Sequence, residues 1–483
     1  MCRVTLLFFF PLFFPSFLYA QAVFQPASSK APRESLLLKK MDARLEKDLE
    51  RLPKKNKEAY TKIYTERTGD QKLHLTEGHF LFDTTWNNWF DGILQEIWKG
   101  NPALPKAEIT LFLARYPEPN AMCLGEGSLV FNLGLLASLE SESQVAFVLC
   151  HEIAHYVQNH VNHAIDDYVE ALYGEETQQR LKEISQSEFG KTGKALALMK
   201  GFTYGNRRHS RYKESEADSL AVVYLSRTRY KPAAALEALA ILDRTDSVAW
   251  REVPYKTLFD APQYPFQPAW LQQKKNSLSA PAGGFKESAW SNDSLKTHPD
   301  CRKRIAQVGR QLPNLPAAGS GDFLQTPAAF ANLRKWSAFE IVEGLYDFEN
   351  YGYCLFRTLQ LLQEYPDDAY LNAMVVKCLY HCRDYQQNHE LRRVLDLPDP
   401  ANDAEYNRFL GLMNQLRLRD LAQIGYYYCE NRREKYQANE DFLFAAALAS
   451  YMNDLTPEFQ QRRREYIRQF PGGRFALFLK QLN

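Results

Sequence analysis

The chain has 483 residues, enough for two or three domains around a sizeable core. Lys and Arg number 59 against 58 Asp and Glu, so no bulk charge favours nucleic acid as a partner. An apolar share of 45% excludes a disordered chain.

The first stretch, "MCRVTLLFFFPLFFPSFLYAQA", has one Arg before an apolar run from Leu6 to Leu18, then Ala20 and Ala22 in an A-x-A arrangement. Pro11 and Pro15 interrupt the run, which is short for a membrane span. A cleaved signal peptide over 1–22 is the expectation, with an uncleaved anchor as the alternative. No later stretch is apolar and long enough to cross a bilayer, so the mature chain is expected to be exported and soluble. Cys2 precedes the run and is badly placed for lipid attachment. The other seven cysteines are odd in number and widely spaced, unlike a disulfide framework.

Residues 23–70 read as charged helix, with "ESLLLKKMDARLEKDLERL" amphipathic and ended by Pro53. An aromatic-rich helix is predicted over Thr84 to Lys99. The period then changes: "AEITLFLAR" (107–115) and "GSLVFN" (127–132) read as strands separated by the turn "PEPN". From Gly134 to about Asp243 the pattern is helical, and Ser141 with Gln144 predicts a capping box. Residues 244–296 are rich in Pro and aromatics, a loop of a length that marks either a lid over a cleft or disorder.

Within the helical stretch, "FVLCHEIAHYVQNH" (147–160) holds H-E-x-x-H. Residues four apart share a helix face, so His151 and His155 can aim at one ion while Glu152 reaches a water beside it. Phe147, Cys150, Ala154 and Val157 make the adjoining apolar stripe. The longer pattern H-E-x-x-H-x-x-G-x-x-H is absent, because position 158 is Gln and 161 is Val. His160 and His163 are therefore read as surface residues of the helix end. The third ligand is sought in "SRYKESEADSLAVVYL" (210–225), where Ala217, Leu220, Ala221 and Tyr224 form the apolar stripe. Glu214 can complete the ligand set, and Asp218 can accept the N–H of a ligand histidine. Glu216 is expected to be solvated.

Three motifs in order, "NAMCLGEGSLVFNLGLLASLESESQVAFVLCHEIAH", "SRYKESEAD" and "THPDCRKRI", resemble the zinc metallopeptidases that include HtpX, the CAAX prenyl endopeptidases and the periplasmic BepA-type proteases. The likeness spans about residues 70–310. It implies one zinc ion held by His151, His155 and Glu214, Glu152 as catalytic base and Asp218 behind the ligands. The expected fold class is α+β, mostly α: a gluzincin domain with a small sheet (71–312), followed by an all-α domain. The strand at Gly127, Ser128 and Leu129 is expected to offer its edge to an extended polypeptide. His298 is the candidate oxyanion donor, with Arg304 a second substrate contact. His298 could instead block the metal in a latent state, or simply start a helix before Pro299. Gly125 and Gly127 are split by Glu126 where relatives place adjacent glycines, so the shape of this turn is open. The absence of later spanning helices favours the BepA-like branch and hence the periplasm.

"PNLPAAGSGDFLQTP" (313–327) reads as a linker. Beyond it, 328–483 reads as short amphipathic helices, with Pro366 and Pro471 lying 105 residues apart, about three tetratricopeptide periods. TPR-like pairs and a plain helical bundle are both open. Cys378 and Cys382, four apart beside His381, admit a metal reading or two buried core thiols. The leading functional expectation is an exported zinc endopeptidase acting on envelope polypeptides that are misfolded or membrane-associated. It would have protein partners through its repeats, peripheral membrane association and no nucleic acid. The alternative is a chaperone-like scaffold with a latent protease site.

Overall fold

The computed structural model describes residues 24–186, 211–245, 249–272, 301–316 and 319–482. The expected signal peptide, His298 and part of the 244–296 loop lie outside the described residues.

Helices α1 (Glu34–Glu50) and α2 (Lys57–Thr76) form a hairpin. Strand β1 (Phe80–Leu81) leads to α3 (Thr84–Gly100), whose start is capped by Asp83 accepting from the N–H of Thr85 at 2.8 Å. Strands β2 (Thr110–Ala114), β3 (Ala121–Cys123) and β4 (Ser128–Asn132) complete a four-stranded sheet in the order β1-β2-β4-β3. The β2–β4 pair is parallel, with Thr110 opposite Ser128, and the outer pairs are antiparallel.

Side chains alternate across these strands. Phe112, Ala114 and Val130 join Met41 of α1 and Leu75 of α2 on one face. Leu113, Leu129 and Phe131 enter the main core with Trp86, Phe90 and Ile97 of α3 on the other. Both faces are covered, so β4 is apolar almost without interruption.

Helix α4 (Leu133–Ser138) precedes α5 (Glu142–Val157), the H-E-x-x-H helix. Ser141 caps α5, its Oγ accepting from Gln144 N at 3.3 Å, while Gln144 reaches back to the N–H of Glu140 at 2.7 Å. The return bond of the capping box thus falls one residue early. Helices α6 (His160–Tyr173) and α7 (Glu175–Gln186) follow, then α8 over 211–226, α9 (Ala234–Thr245), the short α10 (Tyr255–Phe259) and α11 (Cys301–Gln311).

The C-terminal helices are α12 (Pro327–Asp347), α13 (Tyr351–Leu362), α14 (Ala369–Gln387), α15 (Ala404–Gln415), α16 (Leu418–Glu430), α17 (Glu440–Met452), α18 (Thr456–Gln469) and α19 (Ala476–Gln481). The apolar core continues into them from the sheet-bearing part. Phe24 packs on Trp336 and Tyr370, its ring 5.3 and 4.7 Å from theirs. Arg115, just past β2, donates to Glu340 of α12 at 2.9 Å. The expected linker is fastened along 321–325: Ser143 N donates to Asp322 O at 3.0 Å, and Gln325 Nε2 to Trp89 O at 2.9 Å. The described part of the 244–296 loop is also anchored, to the C-terminal helices. Val253 N donates to Glu405 at 3.0 Å and Gln415 Nε2 to Trp270 O at 3.1 Å. The seven cysteines among the described residues are buried free thiols, Cys378 and Cys382 included.

Candidate metal centre

Helix α5 is apolar over most of its length, so its central turn is forced inside and carries its polar residues with it. His151 and Glu152 are each 4% exposed. Phe147, Cys150 and Ala154 are buried as expected, but Val157, the last residue of the expected stripe, is 40% exposed because the helix ends there. Helix α8 brings Glu214 and Asp218 alongside, seated by buried Ala217 and Ala221.

The Nε2 atoms of His151 and His155 lie 3.0 Å apart. Glu214 Oε2 is 3.6 Å from the first and Oε1 is 3.4 Å from the second. One ligand atom from each of the three residues falls within 4.8 Å of the other two. Glu214 Oε2 is buried and accepts no hydrogen bond. Two imidazole nitrogens and a carboxylate oxygen converging away from water need a proton or a metal cation between them, and this is a donor set that metal ions take. The donor set therefore fits a metal ion. Cys150 is absent from it: burial in the core pushes its thiol far up, against ligation.

His151 Nδ1 stands 3.0 Å from Asp218 Oδ1, short of good hydrogen-bond alignment. Arg304 of α11 closes the far side. Its Nε and one terminal nitrogen donate to the two Asp218 oxygens at 2.6 and 2.8 Å, and its other terminal nitrogen stands 3.0 Å from Glu214 Oε2. Arg304 is 3% exposed. This corrects the expectation that Arg304 contacts substrate: it is committed to the two carboxylates and holds α8 against α11.

The charges follow from these contacts. Burial opposes ionisation of Glu214, yet Arg304 and the two histidines hold it well below the usual carboxylate range. Burial likewise works against the Asp218 carboxylate, and Arg304 outweighs it, so its pKa falls. Burial works against a charged His151, but pairing with Asp218 and Glu214 raises it to about 10. Burial pushes the Glu152 carboxyl up, with His151 and His155 pulling back.

The expectation of a free edge at Gly127, Ser128 and Leu129 is not met. Strand β4 is hydrogen-bonded on both sides, to β2 and to β3. Gly127 shapes the turn instead: its φ is +100°, and a Cβ there would meet Glu108 O at 2.3 Å. Glu126 between the glycines is buried and held by Gln71 Nε2 at 2.9 Å, so α2 takes up the departure from the expected glycine pair. The open edge beside the centre belongs to β3. Leu124 N bonds inward to Ser128 O, so by alternation the N–H of Cys123 faces outward, on the side of the Glu152 carboxylate. Three residues after a turn carry too short a pattern to read as a strand.

Two further corrections concern the end of α5. His160 is 5% exposed, not on the surface. Its Nδ1 lies 3.0 Å from His155 Nδ1, and its Nε2 lies 3.1 Å from Glu216 Oε2, so Glu216 is engaged as well. His163 is exposed, as expected.

A H-E-x-x-H helix crossed by a second helix bearing the third donor, beside the edge of a small sheet, defines a metallopeptidase domain. Residues 87–311 match the family model described as Peptidase family M48. Over 132 residues the chain is 29% identical to a curated protein of Vibrio cholerae named beta-barrel assembly-enhancing protease. That match takes in 26% of this chain and 26% of the relative, so the chain spans about a quarter of that protein's length.

Proposed function

We propose that this chain is a zinc-dependent metalloendopeptidase. The observation that carries the reading is the convergence of His151, His155 and Glu214 beside a buried Glu152 whose proton affinity is raised. Two imidazoles and one carboxylate suit zinc, which would polarise a scissile carbonyl and acidify a water. Glu152, beside the ligands, would serve as the base that takes a proton from the attacking water and returns it to the leaving amine. Asp218 and Arg304 keep His151 and Glu214 in place. An extended polypeptide would add to the outer edge of β3 by main-chain hydrogen bonds, as strand addition requires.

Export and an envelope substrate are part of the proposal. They are supported by the N-terminal apolar run with its A-x-A site and by the relative's name. Among the described residues no helix is long and apolar enough to cross a membrane. The helical part after α12 would supply a partner surface, arranged as TPR-like pairs.

The test is Glu152→Gln. Metal content should be unchanged while hydrolysis of an unfolded protein substrate falls by about 10²–10⁴-fold. Unchanged hydrolysis would refute the assignment. A Glu152→Gln variant that keeps all cellular function would favour the scaffold reading.

A further inference from the structure

The metal ligand His155 has a partner chain of its own, and its geometry assigns a direction to every hydrogen bond in it. Helix α5 ends at Val157, and Asn159 sits at φ 55°, in the left-handed region that Asn tolerates. On an unbroken helix, positions 155 and 160 would face about 140° apart, at roughly 100° per residue. The break turns the first residue of α6 back beneath the last turn of α5. The two rings meet nearly edge to face, their centroids 5.0 Å apart.

Glu216 is a carboxylate and can only accept. The His160 Nε2 facing it at 3.1 Å must therefore carry a hydrogen. In a neutral ring the other nitrogen, Nδ1, is then a bare lone pair. That lone pair faces His155 Nδ1 at 3.0 Å, so His155 Nδ1 must be the donor. The hydrogen leaves His155 Nε2 free, and Nε2 is the atom that converges with His151 and Glu214. Each ligand histidine thus has its own support: His151 leans on Asp218, and His155 on His160 and Glu216. Both contacts of the second chain are aligned as hydrogen bonds, which the His151–Asp218 contact is not.

We propose that His160 and Glu216 are positioning residues for the metal centre, fixing the tautomer and the ring orientation of His155. The inference rests on the metallopeptidase reading. A neutral imidazole relaying to a carboxylate acts here as a carboxylate alone does behind other metal-bound histidines. Lys213, on the same helix as Glu216, is occupied by Asp167 at 3.0 Å and leaves the Glu216 carboxylate to His160.

The experiment measures zinc affinity of the full chain by competition with a chromophoric chelator, alongside thermal melts of the metal-free protein. His160→Phe keeps a ring in the site and removes the acceptor. Its affinity should fall about 10–100-fold. His160→Gln offers an amide oxygen to His155 and should recover much of the loss, as should Glu216→Gln relative to Glu216→Ala. The double variant His160→Phe/Glu216→Ala should bind no more weakly than His160→Phe, because both residues act through one chain. Wild-type affinity in His160→Phe overturns the proposal. So does a loss that Gln does not rescue and that tracks a lower melting temperature of the metal-free protein, since that marks packing alone. Failure of the wild-type chain to bind zinc at all sinks the metallopeptidase reading with it, a result readily told from the other two.

Discussion

Asp218→Asn tests the architecture behind the first ligand. Asp218 is fully buried and carries two charge-assisted bonds from Arg304 at 2.6 and 2.8 Å, besides its 3.0 Å contact with His151. An asparagine of the same shape keeps one acceptor and turns an NH₂ group towards donors. Arg304 then retains a single charged neighbour, Glu214, at 3.0 Å. Two effects follow. A buried charge loses one of its two partners, at a cost of up to roughly 3–5 kcal/mol. Arg304 also competes with the metal for Glu214 while His151 loses its orienting contact, so zinc binding should weaken by about 10–100-fold. For a unit the size of this domain the stability loss corresponds to a fall of roughly 6–20 °C in Tm. Calorimetry of the metal-free protein and chelator competition read the two effects separately. Unchanged zinc affinity together with a Tm within about 2 °C of wild type would show that Asp218 and Arg304 are bystanders.

The remaining predictions concern the rest of the chain. Burial, with Lys377 adjacent, lowers the His381 pKa from 6.5 to about 4. The unfolded chain therefore takes up this proton first on acidification. The stabilisation is complete above about pH 6.5 and is lost as pH falls towards 4, by up to roughly 3 kcal/mol. Melts of His381→Gln across that window should show a flatter pH dependence, and an identical slope would count against the assignment. Gly127→Ala should cost about 1–3 kcal/mol, since the backbone carbonyl of Glu108 cannot yield to a new methyl. Gly309→Ala in α11, with nothing within 4 Å, should instead stabilise by roughly 0.5–1 kcal/mol.

Local pattern carried much of this protein. H-E-x-x-H and Glu214 with Asp218 are legible because each pair is four residues apart on one helix, and the helix period alone puts them on one face. Strands β2 and β4 and helix α3 likewise follow from composition and period. Contacts between segments distant in the chain do not. Strand β4 reads as a strand, but only the pairing order makes it central and leaves the open edge to β3. Arg304 reads as an available cation until α11 lies on α8 and both carboxylates claim it. His160 reads as a surface residue because a continuous helix would put it there. The left-handed turn at Asn159 folds it under His155, while Glu216 arrives from 56 residues away. Periodicity settles which way a side chain faces along its own helix; what it meets there depends on where the other helices dock, and that is decided by the packing of the whole core.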